Sequence, residues 1–300
     1  MSTAGQSAWW QRFDHAMTCC NRNRNRNRNT GTGYGSSTEM RTIIRLVATC
    51  LLLALLPVAN AAEPSTVLIT GANRGLGFAF AQQYAARGWN VIATARNPEA
   101  AMALRELADK TGRVRIERLD ATDPASVDNL GNRLGGIPID LLLNNVGMLG
   151  TEPEQQLGSI DPTKFDTYMR VNALSTLLVS QRLLANVKAS RQKKIAGMSA
   201  AVASFAAYPR THHGLYYYKA SKVALNMIMR NLALDTEPDG VTVVVLSPGV
   251  VNTYGVPMDE RMRGMVDIDT SIAGMIKVLD DVKPADTGKW YRYTGEVIDW

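Results

Sequence analysis

From residue 66 onward, short runs rich in Val, Ile and Leu alternate with longer stretches of helical period, and this alternation leaves few folds open. The apolar runs predict strands over 66–70, 90–94, 114–119, 141–144, 194–199 and 241–247. The stretches between them predict helical segments over 76–87, 99–110, 125–134, 162–185 and 216–235. Strands with so little polar alternation are buried on both faces. Alternating β and α elements with right-handed crossovers give a doubly wound parallel sheet in a three-layer α/β/α arrangement. Ligands of such sheets bind beyond the carboxyl ends of the strands. No repeat or linker interrupts residues 62–300, which read as a single domain.

The segment before the domain differs in kind. The 300-residue chain carries a formal charge of +6, which would suit a polyanionic partner if it lay on the folded part. It does not: residues 1–62 hold seven Arg against Asp14 and Glu39, or +5 of that total. A near-neutral body argues against nucleic-acid binding. Residues 1–39 include the low-complexity run Asn-Arg-Asn-Arg from Asn21 and are expected to be a disordered extension, the alternative being that they are not translated. Residues 40–61 combine Arg41 and Arg45, an apolar run from Leu46 to Val58, and Ala59-Asn60-Ala61. This is the layout of a cleaved secretory signal. Used so, it implies export to the periplasm or beyond; uncleaved, it implies a membrane contact; unused, it leaves the domain in the cytoplasm. Cys19, Cys20 and Cys50 all lie in this leader, so the body has neither a disulfide framework nor a thiol nucleophile. His15, His212 and His213 are too few and too badly spaced for a metal site, and none is expected.

Two motifs carry chemistry. Thr70-Gly71-Ala72-Asn73-Arg74-Gly75-Leu76-Gly77 joins the first strand to the first helix. Glycines there allow a tight turn and a close approach of backbone N–H groups to a phosphate at a helix N-terminus. Placed after the first apolar strand, such a turn suggests a nucleotide-binding Rossmann-type domain; the alternative is a plain strand–helix turn. An acid at the end of the second strand would bind a ribose 2′-hydroxyl, whereas Arg accommodates a 2′-phosphate. Thr94-Ala95-Arg96 supplies no acid, and Arg74 adds a second cation, so the residues favour NADP(H) over NAD(H). The second motif is Tyr218-Lys219-Ala220-Ser221-Lys222. Residues i and i+4 share a helix face, so Lys222 lies beside Tyr218. An adjacent ammonium favours the phenolate and is expected to lower the tyrosine pKa toward a working range.

The glycine spacing T-G-x-x-x-G-x-G, with Asn144-Asn145-Val146-Gly147, Asp120 after the third strand, Tyr218-x-x-x-Lys222 and Pro248-Gly249, resembles the short-chain dehydrogenase/reductase family over most of 66–300. The resemblance implies cofactor contacts from Gly71, Asn73, Arg74, Gly75, Leu76, Gly77, Arg96, Asp120, Asn144, Val146, Gly147, Tyr218, Lys222, Pro248, Gly249, Val251 and Thr253. It implies Tyr218 as proton donor or acceptor, Lys222 as its partner on the ribose, and Asn172 as the helix residue that holds a relay water. The family's catalytic serine is the departure. Ile195-Ala196-Gly197-Met198-Ser199-Ala200 puts Ala200 where that hydroxyl belongs. A one-residue step on a strand turns a side chain to the other face. Either the strand end bulges and Ser199 serves, or Ser204 reaches in, or the hydroxyl is missing. Ser199 is the residue assigned.

Tyr217 through Asn226, Ser271 through Met275, Gly288 through Gly295 and the final Ile298-Asp299-Trp300 are similar to the C-factor-like and sniffer-like carbonyl reductases of that family. The segment 252–267, with Val256, Met258, Met262 and Met265, is expected to form a lid. Together with Phe205, Tyr208 and Tyr216 it suggests a small apolar aldehyde or ketone, or the corresponding alcohol. By analogy with the family, the helices around Asn172 and Tyr218 imply a homodimer or tetramer face. The alternative is a weakly active or inactive nucleotide-binding signalling or structural protein on the same fold.

Overall fold

The computed structural model describes residues 63–206, 213–252 and 264–300. The leader, with its expected disordered extension and signal segment, lies outside the described residues, as do His212, Tyr208, Thr253, Val256, Met258 and Met262. Among the described residues no helix is long and apolar enough to cross a membrane.

Seven strands form one parallel sheet in the order β3-β2-β1-β4-β5-β6-β7. They are β1 (Thr66–Ile69), β2 (Asn90–Ala95), β3 (Val114–Arg118), β4 (Leu141–Asn144), β5 (Lys194–Met198), β6 (Thr242–Ser247) and β7 (Trp290–Arg292). The helices are α1 (Gly75–Ala86), α2 (Met102–Thr111), α3 (Pro124–Leu134), α4 (Pro162–Met169), α5 (Ser175–Lys188), α6 (Tyr216–Thr236) and α7 (Ile268–Asp281). The doubly wound fold read from the sequence is the fold observed. Successive residues of β1 feed opposite layers. Val67 and Ile69 pack with Phe80 and Tyr84 of α1 and with Met275 and Leu279 of α7. Leu68 packs with Leu130 of α3, Leu183 of α5 and Leu225 of α6. Burial on both faces is why the strands read as unbroken apolar runs.

The expected helical segment over 162–185 is two helices. A π turn at Arg170–Leu174 separates α4 from α5. Such i→i+5 turns re-aim one side chain and concentrate at functional sites. Here the turn holds Asn172, which is wholly buried. The strand β7 was not legible as a strand, because its three residues are too short to show a period. Helix α7 did have a local signal: Asp267 caps it, accepting from the N–H groups of Asp269 and Thr270 at 3.0 and 3.2 Å.

The chain runs outward from β1 to β3 and then returns to place β4 on the other side of β1. The topological switch point therefore lies between the carboxyl ends of β1 and β4. Thr70 stitches it together: its hydroxyl oxygen accepts from the N–H groups of Asn145 at 2.9 Å and Val146 at 3.1 Å.

Candidate active site

At the switch point the glycine turn takes the conformation its composition suggests. Gly71 and Gly75 have φ of 66° and 55°, the left-handed region that favours glycine. Gly77 is needed for space instead. A Cβ there would stand 2.3 Å from the Gly71 carbonyl oxygen and 2.6 Å from Asn145 Nδ2. Asn145 explains the crowding, since its amide donates to the carbonyls of Thr70 and Gly71 at 2.9 and 3.2 Å. Sequence reasoning assigned Asn144 and passed over Asn145. Asn144 turns its side chain into the core, where its amide donates to the Ser180 hydroxyl at 3.0 Å and its Oδ1 is buried without a hydrogen-bond partner.

The residues present fit a dinucleotide. Helix α1 has no side-chain cap and no acid in its first turn, and Asn73 and Arg74 before it are exposed. Among the described residues no side chain caps its first N–H groups, which suit a phosphate. A Cβ on Gly75 would meet nothing within 4 Å, so the backbone there faces open space. Beyond β2 and β3 lies a cavity of about 500 Å³ lined by Arg96, Arg118, Asp120, Asp123, Ser126, Asn129 and Arg133. Arg133 is committed to Glu117 and to the Arg118 carbonyl, both at 2.7 Å, whereas Arg96 stands exposed at the rim. Hydrogen bonds from Thr122 hold the Asp120 carboxyl below its ordinary pKa, with a smaller contribution from the Arg96 charge. On the far side, Gly249 has φ of 80° and Pro248 accepts from the Ser271 hydroxyl at 2.7 Å. Val251 forms an isolated bridge with Val266.

Lys222 and Asn172 come together at Gly147, and Tyr218 stands beside Lys222. A Cβ on Gly147 would lie 3.2 Å from Lys222 Nζ and 3.3 Å from Asn172 Oδ1. Asn172 accepts from the Met148 N–H at 2.7 Å, and its amide donates to the Met148 carbonyl at 3.0 Å and to Ser221 Oγ at 2.8 Å. Lys222 is buried and donates to the Met198 carbonyl at 2.8 Å. Its Nζ stands 5.8 Å from the centroid of the Tyr218 ring. Burial pushes the lysine pKa down to about 8. Tyr218 is half-buried as a residue, yet its phenol sits deep enough that burial raises its pKa to about 12. The sequence suggested the opposite shift. In this structure desolvation of the phenol outweighs an ammonium held back on a backbone carbonyl.

The serine question has a structural answer. β5 pairs with β6 residue for residue through Met198 and Leu246, and the Ser199 N–H continues that ladder to the Leu246 carbonyl at 2.7 Å. No bulge turns Ser199 outward; its hydroxyl is buried with no hydrogen-bond partner. Ser204 is buried as well and donates to the Asp299 carbonyl at 2.6 Å. Ala200, next along the chain, is in extended backbone and partly exposed. Of the three alternatives left open by the sequence, a missing hydroxyl agrees best with the burial of Ser199 and Ser204. Among the described residues no group of His, Cys, Asp and Glu could hold a metal.

Sequence reasoning also missed Gln155. Its side chain is fully buried and accepts from the Tyr218 N–H at 2.9 Å. Nothing in its local sequence announces that role.

A doubly wound sheet with a glycine turn at its switch point and a Tyr-x-x-x-Lys helix beside it defines a class of nucleotide-dependent oxidoreductases. The profile of the short chain dehydrogenase family matches residues 65–263, and the chain belongs to that family of NAD(P)(H)-dependent enzymes. It is similar to the C-signal protein of Myxococcus xanthus, with 32% identity over 163 residues, 54% of this chain and 93% of that protein. Among solved structures it is similar to NADPH-bound carbonyl reductase from chicken fatty liver, at 31% identity and a TM-score of 0.71. That match covers 79% of this chain and 99% of the other. It is also similar to a carbonyl reductase of Pseudomonas aeruginosa in complex with NADP. There the identity is 27%, the TM-score 0.67, and the coverage 79% and 100%.

Proposed function

We propose that the chain reduces the carbonyl of a small apolar aldehyde or ketone with NADPH, or oxidises the corresponding alcohol. The observation that carries this reading is that Lys222 and Asn172 converge on Gly147, after β4 at the switch point, with the Tyr218 ring 5.8 Å from Lys222 Nζ. Gly71, Gly75 and the open first turn of α1 would hold the cofactor's phosphates, and Arg96 with Arg74 would hold a 2′-phosphate. When bound, the nicotinamide supplies or accepts the hydride.

The chain's own residues manage the proton. A phenol whose pKa is raised to about 12 is protonated at neutral pH, the state needed to donate from Oη to a carbonyl oxygen. Lys222, fixed by the Met198 carbonyl, keeps its charge behind the ring. Asn172 has both ends of its amide engaged, which holds the loop after β4 against α6. Apolar substrates are favoured by Phe205, within the β5–α6 connection, and Tyr216, the first residue of α6, which are 80% and 48% exposed. The carbonyl reductases among the similar structures, bound to NADPH or NADP, support a carbonyl substrate and NADP(H).

The reading is tested by following NADPH and NADH oxidation with 4-nitrobenzaldehyde and with pyruvate as probes. Preference for NADPH and for the aromatic aldehyde supports it, and turnover of pyruvate alone rejects it. A second reading, a weakly active nucleotide-binding protein, is favoured by Ala200. Cofactor binding without oxidation across a carbonyl panel would support that reading. We also propose that residues 40–61 act as a cleaved export signal, which N-terminal sequencing of the cell-derived protein tests.

A further inference from the structure

Helix α6 begins without the device that starts its neighbours. Helices α3, α4 and α7 are each capped by the side chain of an Asp directly before them. At the same position α6 has Leu215, which offers no cap and is held at φ 55° and ψ 37°. That left-handed conformation is uncommon for a residue with a Cβ and marks a segment held by its surroundings. The first turn of a helix leaves its N–H groups without intrahelical partners, and one of these belongs to Tyr218. The acceptor is the side-chain oxygen of Gln155, from a loop 63 residues earlier in the chain.

The remaining bonds of Gln155 show what it connects. Its Nε2 donates to the carbonyls of Leu149 and Thr151 at 2.8 and 3.1 Å. Two carbonyls on one side and an N–H on the other fix the orientation of the amide. The chain beside Leu149 is clasped by Asn172 through Met148. Asn172 in turn donates to Ser221 Oγ, and that hydroxyl donates to the Tyr218 carbonyl at 2.8 Å. The main chain of Tyr218 is thus held at both its N–H and its C=O by one continuous circuit of bonds. Gln155 closes that circuit. A second tie joins the same loop to the next residue, where the Tyr217 hydroxyl accepts from the Asp161 N–H. Glu154, adjacent to Gln155, braces the loop by accepting from Thr151, Tyr168 and Lys164.

We propose that Gln155 is a positioning residue of the active site: its buried amide caps α6 at Tyr218 and, with Asn172 and Ser221, fixes where the phenol stands. The proposal rests on the reading of Tyr218 as the proton donor.

The experiment uses the full chain, NADPH and 4-nitrobenzaldehyde, with three variants. Gln155→Met keeps the length and removes every hydrogen bond. It should lower kcat about tenfold to a hundredfold, because reactive groups displaced by an ångström lose about that much, while NADPH affinity stays near that of the parent. Gln155→Glu keeps the acceptor for the Tyr218 N–H but, when ionised, sets a carboxylate against the Leu149 and Thr151 carbonyls. Its kcat should be low at neutral pH and recover as pH falls and the carboxyl gains a proton to donate. The parent should show no such acid-side recovery. This readout stands even if Gln155→Met fails to fold, and loss of packing alone would not produce it. Tyr218→Phe is the control for the underlying reading. If Tyr218→Phe is inactive while Gln155→Met turns over like the parent, or the Gln155→Glu profile parallels the parent's, the proposal for Gln155 is overturned and the site reading survives. If Tyr218→Phe remains active, the reading of the site itself fails.

Discussion

Lys222 reaches past the tyrosine it was expected to serve and places its Nζ 2.8 Å from the carbonyl oxygen of Met198. The group is buried, and that burial lowers its pKa from 10.5 to about 8. Between those values the unfolded chain binds more protons than the folded one, so stability owed to this group rises with pH from about 8 to 10.5 and is flat below. Lys222→Met removes the slope. The thermal midpoint of the variant minus that of the parent should be constant between about pH 6 and pH 7.5 and should fall as pH rises from about 8 toward 10. Tyr218 contributes with the opposite sign, its raised pKa costing stability only above its ordinary value of 10, outside that window. A midpoint difference that stays constant to pH 10 would show that the ammonium is not desolvated.

Replacing Tyr218 by Phe removes the hydroxyl and leaves the ring. The Tyr218 backbone bonds to Gln155 and Ser221 are untouched by that change. Loss of one general acid costs about 10²- to 10⁴-fold in rate. Steady-state NADPH oxidation should fall by that amount, while NADPH affinity, read by fluorescence quenching, should stay within about twofold of the parent under the same principle of selective loss at the chemical step.

What the sequence disclosed and what it hid divide along a physical line. The sheet was legible because both its faces are buried, which makes each strand an apolar run. The glycine turn and the Tyr218–Lys222 pair were legible because their geometry is local: a left-handed φ at Gly71, and a four-residue step on one helix face. Gln155 was invisible because its partner is 63 residues away and nothing beside it marks it. The π turn at Arg170–Leu174 was hidden by helical periodicity continuing on both sides, so that 162–185 read as one helix. The direction of the Tyr218 shift was missed for a related reason. Sequence spacing gives the neighbour of a group but not its depth, and here depth decides.

Arg96 stands exposed at the end of β2, on the rim of the cavity it shares with Asp120. A guanidinium there suits a 2′-phosphate, and a carboxylate suits a 2′-hydroxyl. Arg96→Asp should lower kcat/KM for NADPH and raise it for NADH, shifting their ratio by more than about 100-fold, since each charge-assisted bond to a phosphate is worth roughly 1.5–3 kcal/mol. Arg74 remains as a second cation in the variant, so some NADPH use should persist. An unchanged ratio would remove Arg96 from cofactor recognition.

Ala200 offers the strongest test of how this site differs from a complete one. The β5–β6 ladder runs in register up to it, so its side-chain direction is set by the strand. Its backbone, at φ −146° and ψ 138°, is ordinary extended chain that serine adopts equally well. The neighbouring hydroxyls of Ser199 and Ser204 are buried away from solvent. Ala200→Ser should therefore add a donor without disturbing the fold. Removing one such donor from an enzyme that has it costs about 10²- to 10³-fold. Installing one in a site not shaped around it should recover part of that, raising kcat for 4-nitrobenzaldehyde by about tenfold, with the thermal midpoint unchanged. The gain should vanish in the double variant Ala200→Ser with Tyr218→Phe, because a donor to the carbonyl is of little use without a proton to complete the reduction. A single variant no faster than the parent would mean that the substrate oxygen does not come to rest beside residue 200.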